Sequence, residues 1–247
     1  YLKRITHKMN QEGKKIRYQF LSVLSHELKA PLNALEGYLR MMQEKQAGER
    51  IEDYATPIER SLQRIQGMRN LIMDLLDFTK IRLERKEEKI QDVSISEIAS
   101  NAMVTVQPYA IQMDVAMNID IRSDVTVMAD PDDIEIVFNN LISNAVKYNR
   151  SGGKVEIIID STEKEAIIVV SDTGIGITSE DTENLFTEFV RIRNEKTRNI
   201  SGSGLGLSIV KKVIGFYHGT IKVESTPDVG TVFTVRLPKK QIPIPEL

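Results

Sequence analysis

Apolar residues recur at helical spacing through the first third of the chain. The stripe runs to Met42, pauses over residues 46–49 and resumes from about residue 51 to residue 88. A seven-residue repeat opens it, at Leu2, Met9, Ile16 and Val23. Two long helices around a short break predict an antiparallel helical hairpin, preceded by a helix of coiled-coil type.

A lone hairpin of this kind would expose much of its apolar stripe to water. Pairing two copies into a four-helix bundle buries that stripe, which favours a homodimer. The alternative is an intramolecular coiled coil that packs on the second half of the chain.

The second half alternates between helix and strand patterns without a regular repeat. Helices are predicted over residues 96–113, 131–149, 178–186 and 204–217, and strands over 115–119, 125–128, 154–160, 166–171, 220–225 and 231–237. Ser96 and Asp130 are the expected N-caps of the first two helices, and Pro131 fits the first position of the second. The pattern predicts a mixed sheet covered by helices on one face.

These patterns give an α + α/β architecture in four segments. Residues 1–19 form the coiled-coil helix, 20–90 the dimerising hairpin, 91–240 an α/β sandwich domain and 241–247 a tail. Two prolines in the tail cannot continue a sheet. The chain begins at Tyr1 within a helical pattern, so we expect a fragment whose N-terminal input region is missing.

Composition narrows the class of protein. The 247 residues are 41% hydrophobic and 28% charged, as in an ordinary globular protein. The net charge of −2 draws the chain to neither nucleic acid nor an anionic membrane. The absence of cysteine excludes disulfides and thiolate metal sites. No apolar run approaches the ~20 residues that span a bilayer, so we expect a cytoplasmic fragment without membrane contact.

The first cluster with chemical potential lies on the helix that begins after Asp130. Asn140, Asn144 and Lys147 are four and three residues apart, so they share one face. An amide oxygen is a hard ligand that suits Mg²⁺, which would keep waters and phosphates as its other ligands. The three side chains are therefore a candidate binding site for a magnesium-bound triphosphate. The alternative is a solvated polar face.

Two glycine clusters follow further along the chain. Asp172-Thr173-Gly174-Ile175-Gly176 comes directly after a predicted strand, where glycines let the backbone approach a flat ligand. Gly202-Ser203-Gly204-Leu205-Gly206 precedes a predicted helix, whose free N–H groups could meet phosphate. The polar stretch 193–199 between them is typical of a mobile flap. Taken singly, either cluster is equally compatible with a turn.

A histidine beside a carboxylate lies more than a hundred residues upstream, at His26-Glu27. Such a pair is common in helices. In a chain that also carries nucleotide-binding patterns, it suggests a nucleophile and its phosphoryl donor.

In this order, the segments resemble the sensor histidine kinases of two-component signalling. His26 to Leu32 is similar to their phospho-acceptor box, Asn140 to Tyr148 to the asparagine box, and Asp172 to Gly176 and Gly202 to Gly206 to the two glycine boxes. Phe186-Thr187-Glu188-Phe189 resembles the phenylalanine box. The resemblance covers about residues 20 to 238, and five motifs in order are far more specific than any one.

The resemblance implies a dimeric helical phosphotransfer domain followed by a catalytic ATP-binding domain of the gyrase and heat-shock-chaperone type. It assigns the Mg²⁺ ligand to Asn144, the adenine-binding carboxylate to Asp172 and the lid over ATP to residues 192–201. It assigns phosphate contacts to Lys147 and Arg191. Further nucleotide contacts fall on Asn140, Tyr148, Gly174, Gly176, Gly202, Gly204, Leu205 and Gly206.

The same resemblance predicts the reaction. His26 would take the γ-phosphoryl group of Mg-ATP while Glu27 accepts the proton on the other ring nitrogen. The phosphoryl group would then pass to an aspartate on a response-regulator receiver domain. Many family members carry threonine or asparagine four residues after the histidine, where it helps position water for dephosphorylating the regulator. Ala30 stands there, so we expect weak phosphatase activity.

Two other classes of function fit parts of the sequence. A sandwich-type ATPase would hydrolyse ATP without labelling His26, and a non-catalytic dimeric scaffold would lack magnesium-dependent turnover. Spacing identifies neither the stimulus nor the regulator, and it leaves open whether His26 is labelled by its own subunit or by the partner.

Overall fold

The computed structural model describes residues 28–83, 89–192, 194–198, 200 and 202–239. The chain divides between Met73 and Asp74 into two compact units, which are described separately below. His26, Glu27 and the repeat over residues 1–19 lie outside the described residues, as does the predicted tail.

The first unit contains a helical hairpin, as predicted. Helix α1 covers residues 28–43 and a single 3₁₀ turn covers Ile51–Tyr54. Helix α2, Ala55–Leu83, begins in this unit. The buried Tyr54 fixes the connection, because its hydroxyl donates to Gly48 O (2.6 Å) and accepts from Ala47 N (3.3 Å). The break in the apolar pattern is therefore a closed turn.

Large apolar side chains of this unit face solvent. Leu39 and Leu62 are 60% and 61% exposed. Others are Leu32, Ile65, Ile72 and Met73. Apolar surface of this kind, repeated along two helices, is typical of a surface that a partner covers.

The second unit is an α/β domain. Its elements in chain order are β1 (Gln91–Ser94), α3 (Ile95–Gln112), β2 (Val115–Ile121), β3 (Thr126–Ala129), α4 (Pro131–Lys147), β4 (Gly153–Ser161), β5 (Glu165–Asp172), α5 (Ser179–Thr182), α6 (Gly206–Phe216), β6 (Thr220–Thr226) and β7 (Gly230–Pro238).

The main sheet has five strands in the order β2-β4-β5-β7-β6. Strands β2 and β4 are parallel and the other neighbours are antiparallel, so the sheet is mixed, as predicted. Burial alternates along the central strands, because one face packs on helices α3, α4 and α6. Helix α4 supplies much of that core, with Ile134, Val137, Phe138, Leu141, Ile142, Ala145 and Val146 buried.

Helix α4 begins where its sequence predicts. The Asp130 side chain accepts from Asp132 N (3.0 Å) and Pro131 is the first helical residue. The Tyr217 hydroxyl, at the end of α6, donates to the Asp133 carboxylate (2.7 Å) and accepts from Asp130 N (3.0 Å). The start of α4 is thus tied to the end of α6.

Some local predictions were wrong. Ser94, and not Ser96, caps α3, because its hydroxyl accepts from Glu97 N (3.3 Å). Strand β1, which pairs with β3, was not predicted, because Val93 is its one buried residue and the strand shows no apolar alternation. Helix α5 covers four residues where nine were predicted. No helix among the described residues has both the length and the apolar character that crossing a bilayer requires.

Candidate functional site

Predicted site residues from distant parts of the sequence meet in the second unit, where the end of α4 faces two glycine loops. A Cβ atom at position 174 would lie 2.2 Å from the carbonyl oxygen of Tyr148. One at position 202 would lie 2.6 Å from Lys147 Nζ. The first contact is with backbone and admits no side chain, so glycine at position 174 is what allows the loop after β5 to approach α4. The second contact is with the end of the flexible Lys147 side chain and shows only that the second glycine loop lies close to it.

The loop after β5 is joined to the end of α4 by a backbone hydrogen bond. Ile175 N donates to Tyr148 O (3.0 Å), and Gly174 N donates to the Asp172 carboxylate (2.8 Å). Gly176 has φ +63°, and a Cβ atom there would meet Thr226 O at 2.0 Å. The first glycine box is thereby held between α4 and the β6–β7 turn.

Asp172 is half-buried at the end of β5. Burial raises the pKa of its carboxyl to about 6, although the backbone N–H groups of Gly174 and Thr231 favour the charged form. The carboxylate is therefore ionised at neutral pH but poorly solvated. A ligand that donates a hydrogen bond to it would offset that lost solvation.

Lys147 is half-buried on the opposite side of the site. Burial, together with the nearby Arg191 guanidinium, lowers the pKa of its ammonium to about 8. Its Nζ lies 5.2 Å from the centre of the Tyr148 ring. Two cations held close together and partly desolvated favour a bound polyanion, which would neutralise both.

Arg191 is carried by the segment 186–191, which includes the predicted phenylalanine box. Its guanidinium donates to Ile200 O. The segment is fixed on α6 by an ion pair between Glu188 and Lys212, and Lys211 Nζ lies 5.4 Å from the Phe186 ring. Helix α5 ends at Thr182, and the residues that follow contact α6 instead of continuing the helix, so tertiary contacts override the local helical pattern here.

The second glycine box connects this segment to the start of α6. Phe189 N donates to Gly204 O (3.0 Å), and Gly204, at φ +73°, leaves only 3.0 Å between a Cβ atom and the Phe189 backbone. Leu205 is fully buried, so its side chain belongs to the core, and its N–H donates to the Ser203 hydroxyl (3.0 Å). Gly206 is the first residue of α6.

The two asparagines of α4 differ in their partners. Asn140 Nδ2 donates to Ile136 O (2.8 Å), and its Oδ1 would lie 2.3 Å from a Cβ atom at Gly206. Asn144 is half-buried and has no side-chain hydrogen bond to any described residue. Asn140 therefore lies against the start of α6, and Asn144 keeps its amide oxygen for a ligand.

A magnesium ion fits this arrangement only together with a ligand. The described residues contain no group of three or more histidine, cysteine or acidic side chains that could hold a metal. Asn144 supplies one hard oxygen, so phosphate oxygens and waters would have to complete most of the shell, as is usual for Mg²⁺.

The lid predicted over residues 192–201 is described only in part. Its residues 194–198 form a turn, in which Asn194 Oδ1 accepts from Lys196 N and Thr197 N (both 3.0 Å). Thr197 is buried, and its hydroxyl donates to Ile192 O (2.6 Å). The mobility of this segment stays a prediction.

One buried polar residue has a larger part in the site than the sequence indicated. Asn149, predicted as the end of the helix over residues 131–149, is 8% exposed and contacts both α4 and the loop after β5. An asparagine at the end of a predicted helix, four residues before a strand, was a weak signal for this position.

Two protein-family models match the chain. Residues 16–84 match the His Kinase A (phospho-acceptor) domain, and residues 129–241 match the histidine kinase-, DNA gyrase B- and HSP90-like ATPase. The first range contains His26 and Glu27, and the second contains every predicted nucleotide contact.

Curated relatives agree with these matches. The sensor protein GacS of Pseudomonas syringae pv. syringae is 31% identical over 236 residues, and the sensor histidine kinase RcsC of Escherichia coli (strain K12) is 31% identical over 230. Each alignment covers 92% of this chain but only 26% and 24% of the relative. The chain thus spans about a quarter of the length of these relatives.

Solved structures share the fold. Histidine kinase ThkA, in complex with response regulator protein TrrA, is similar over 93% of this chain and 64% of its own, with a TM-score of 0.69 and 24% identity. The catalytic domain of ThkA alone is similar over 62% of this chain and 97% of its own, with a TM-score of 0.55 and 26% identity. The two domains in this order, and relatives along nearly the whole sequence, place the chain in the sensor histidine kinases of two-component systems.

Proposed function

We propose that this chain is a kinase core that autophosphorylates His26 from Mg-ATP and passes the phosphoryl group to an aspartate of a response-regulator receiver domain. The observation that carries the proposal is the meeting of Asp172, Lys147 and Asn144 around two glycine loops, in a chain that also matches the phospho-acceptor family. We place the reaction in the cytoplasm, where ATP is available.

The base end of the nucleotide would lie at Asp172. Its ionised carboxylate accepts a hydrogen bond from the exocyclic amino group of adenine. Gly174, which has no side chain, lets the loop after β5 lie against the Tyr148 carbonyl, and this packing keeps Asp172 beside the end of α4. Adenine is favoured here because a partly desolvated carboxylate selects a ligand that presents a donor.

The phosphate end would lie at the start of α6 and the end of α4. Lys147 and Arg191 neutralise the phosphates, and the backbone N–H groups of Gly202, Gly204 and Gly206 donate to them. Asn144 would hold Mg²⁺, which would neutralise negative charge on the transferring phosphoryl group. Two further residues support the phosphate end of the site. Asn140 lies beside Gly206, and the Tyr148 ring lies beside Lys147 Nζ.

The acceptor is His26, oriented by Glu27. The neutral ring nitrogen of His26 attacks the γ-phosphorus, the bond to the β–γ bridging oxygen breaks and ADP leaves. Glu27 accepts a hydrogen bond from the other ring N–H and stabilises the positive charge that develops. A carboxylate oxygen of the receiver then attacks the phosphohistidine and releases the imidazole. The solved complex of ThkA with its regulator TrrA supports a partner of this class.

The kinase would act as a homodimer. The exposed apolar side chains along α1 and α2 support this arrangement, because a second hairpin could bury them in a four-helix bundle.

The reaction is tested by incubating the chain with γ-labelled Mg-ATP. We expect acid-labile, base-stable label on the chain, lost in His26→Gln because the nucleophile is gone and in Asn144→Asp because the magnesium ligand is altered. His218→Gln, an exposed histidine at the end of α6, is the matched control and should label normally.

Each alternative gives a different result. ATP hydrolysis without label would indicate the plain ATPase, and the absence of both would indicate the scaffold. Equal labelling of His26→Gln and the unaltered chain would contradict the assignment of the acceptor.

Dimerisation is tested by placing charges on the exposed stripe. Leu39→Glu combined with Leu62→Glu should convert the dimer into a monomer, because burying two carboxylates in each subunit's interface is costly. Light scattering after size-exclusion chromatography measures the mass. Val104→Glu, at a more exposed position on α3, should leave the dimer intact. A monomeric unaltered chain would refute the dimer.

Nucleotide affinity should depend on pH through Asp172. Because the carboxyl has a pKa of about 6 and must be ionised to accept from adenine, affinity for Mg-ADP should fall as pH drops below 6, by about tenfold per unit. Calorimetry between pH 5 and 7.5 gives the slope. Protonation of the nucleotide itself also contributes to this slope. The Asp172→Asn variant measures that contribution alone, and it should bind Mg-ADP weakly and with a shallower dependence on pH. Equal slopes would exclude Asp172 as the titrating group.

Phosphatase activity toward the regulator should be weak. Ala30 is exposed on α1 and has no polar side-chain atom to position water. Ala30→Thr or Ala30→Asn should increase phosphate release from a phosphorylated receiver domain. Ala30→Val has the shape of threonine without its hydroxyl and should not. Robust phosphatase in the unaltered chain would contradict this expectation.

A further inference from the structure

Asn149 is a buried amide whose hydrogen bonds are all used. It follows α4 directly and is 8% exposed. Its Nδ2 donates to Ala145 O (3.1 Å) and to Lys154 O (3.0 Å). Its Oδ1 accepts from Arg150 N (3.0 Å) and from the Thr173 hydroxyl (3.4 Å). An amide with both donor hydrogens and its acceptor engaged has one orientation and little freedom to move.

These partners belong to opposite ends of the site. Ala145 lies in the last turn of α4, which carries Asn144 and Lys147. Thr173 lies in the loop after β5, between Asp172 and Gly174. Asn149 is thus a side-chain bridge between the groups proposed to hold phosphate and the group proposed to hold adenine.

The bridge is reinforced from both sides. Thr173 N donates to Lys154 O (3.1 Å), and Lys154 N donates to the Thr173 hydroxyl (2.8 Å). A Cβ atom at position 153 would lie 2.0 Å from Asn149 Oδ1, so glycine there makes room for the amide. The geometry is therefore built around Asn149, and its amide joins three segments.

We propose that Asn149 is a positioning residue that sets the spacing between the adenine end and the phosphate end of the nucleotide site. The inference rests on the proposed nucleotide-binding function. A nucleotide binds tightly only if both ends are met at once, because binding one end raises the effective concentration of the other. Loosening the bridge leaves each half of the site intact but lowers the affinity for a ligand that must occupy both halves at once.

The test compares ligands that fill one end with a ligand that fills both. Adenosine reports the base end, Mg-pyrophosphate the phosphate end, and Mg-ADP the two together. For Asn149→Ser we expect Mg-ADP affinity to fall about tenfold or more while each one-ended ligand changes less than about threefold. Thr173→Val, which removes the hydroxyl partner and keeps the shape, should show the same selective loss if Asn149→Ser folds poorly.

Tyr217→Phe is the matched control for general destabilisation. It removes the hydrogen bonds that tie the start of α4 to α6, at the far end of the same helix. It should lower the melting temperature and leave the ratio of the three affinities unchanged.

Several outcomes would overturn the inference. One is an equal loss of affinity for all three ligands in Asn149→Ser and Thr173→Val. Another is a selective loss of Mg-ADP affinity in Tyr217→Phe. If the unaltered chain bound no Mg-ADP, the proposed function itself would fail, and the inference with it. Normal Mg-ADP binding in both bridge variants would refute the inference alone.

Discussion

The close approach of two backbone segments, the end of α4 and the loop after β5, is the constraint on which the site depends. Ile175 N donates to Tyr148 O at 3.0 Å, and Gly174 lies so near the same carbonyl that a Cβ atom would overlap it. This contact sets the distance between Lys147 on α4 and Asp172 on β5. The sheet and its covering helices hold both segments rigidly enough to keep it.

The electrostatics of the site follow from the same packing. Burial raises the pKa of Asp172 and lowers that of Lys147, so each charge is less stable here than in water. A ligand with a hydrogen-bond donor at one end and negative charge at the other would stabilise both the Asp172 carboxylate and the Lys147 ammonium. An adenine nucleotide has this pattern.

Features with local causes could be predicted from the sequence, and features with distant causes could not. Asp130 and Pro131 start α4 through contacts within one turn, and the alternation in β4 and β5 reflects one buried face. The early end of α5 was not predicted, because the residues that follow it, Phe186 and Glu188, contact α6, which is distant in sequence. The capping-box spacing of Ser94 and Glu97 was a local signal that the expectation of Ser96 overlooked.

The same distinction applies to the site. The motifs predicted that Asn140–Tyr148 and the two glycine boxes belong to one site, and the structure brings these segments together. The role of Asn149 depends on three segments meeting in space, which one sequence does not reveal. The most direct test is a crystal structure with Mg²⁺ and a non-hydrolysable ATP analogue. The account predicts the adenine amino group on Asp172 and the metal on Asn144; a nucleotide bound away from both would contradict it.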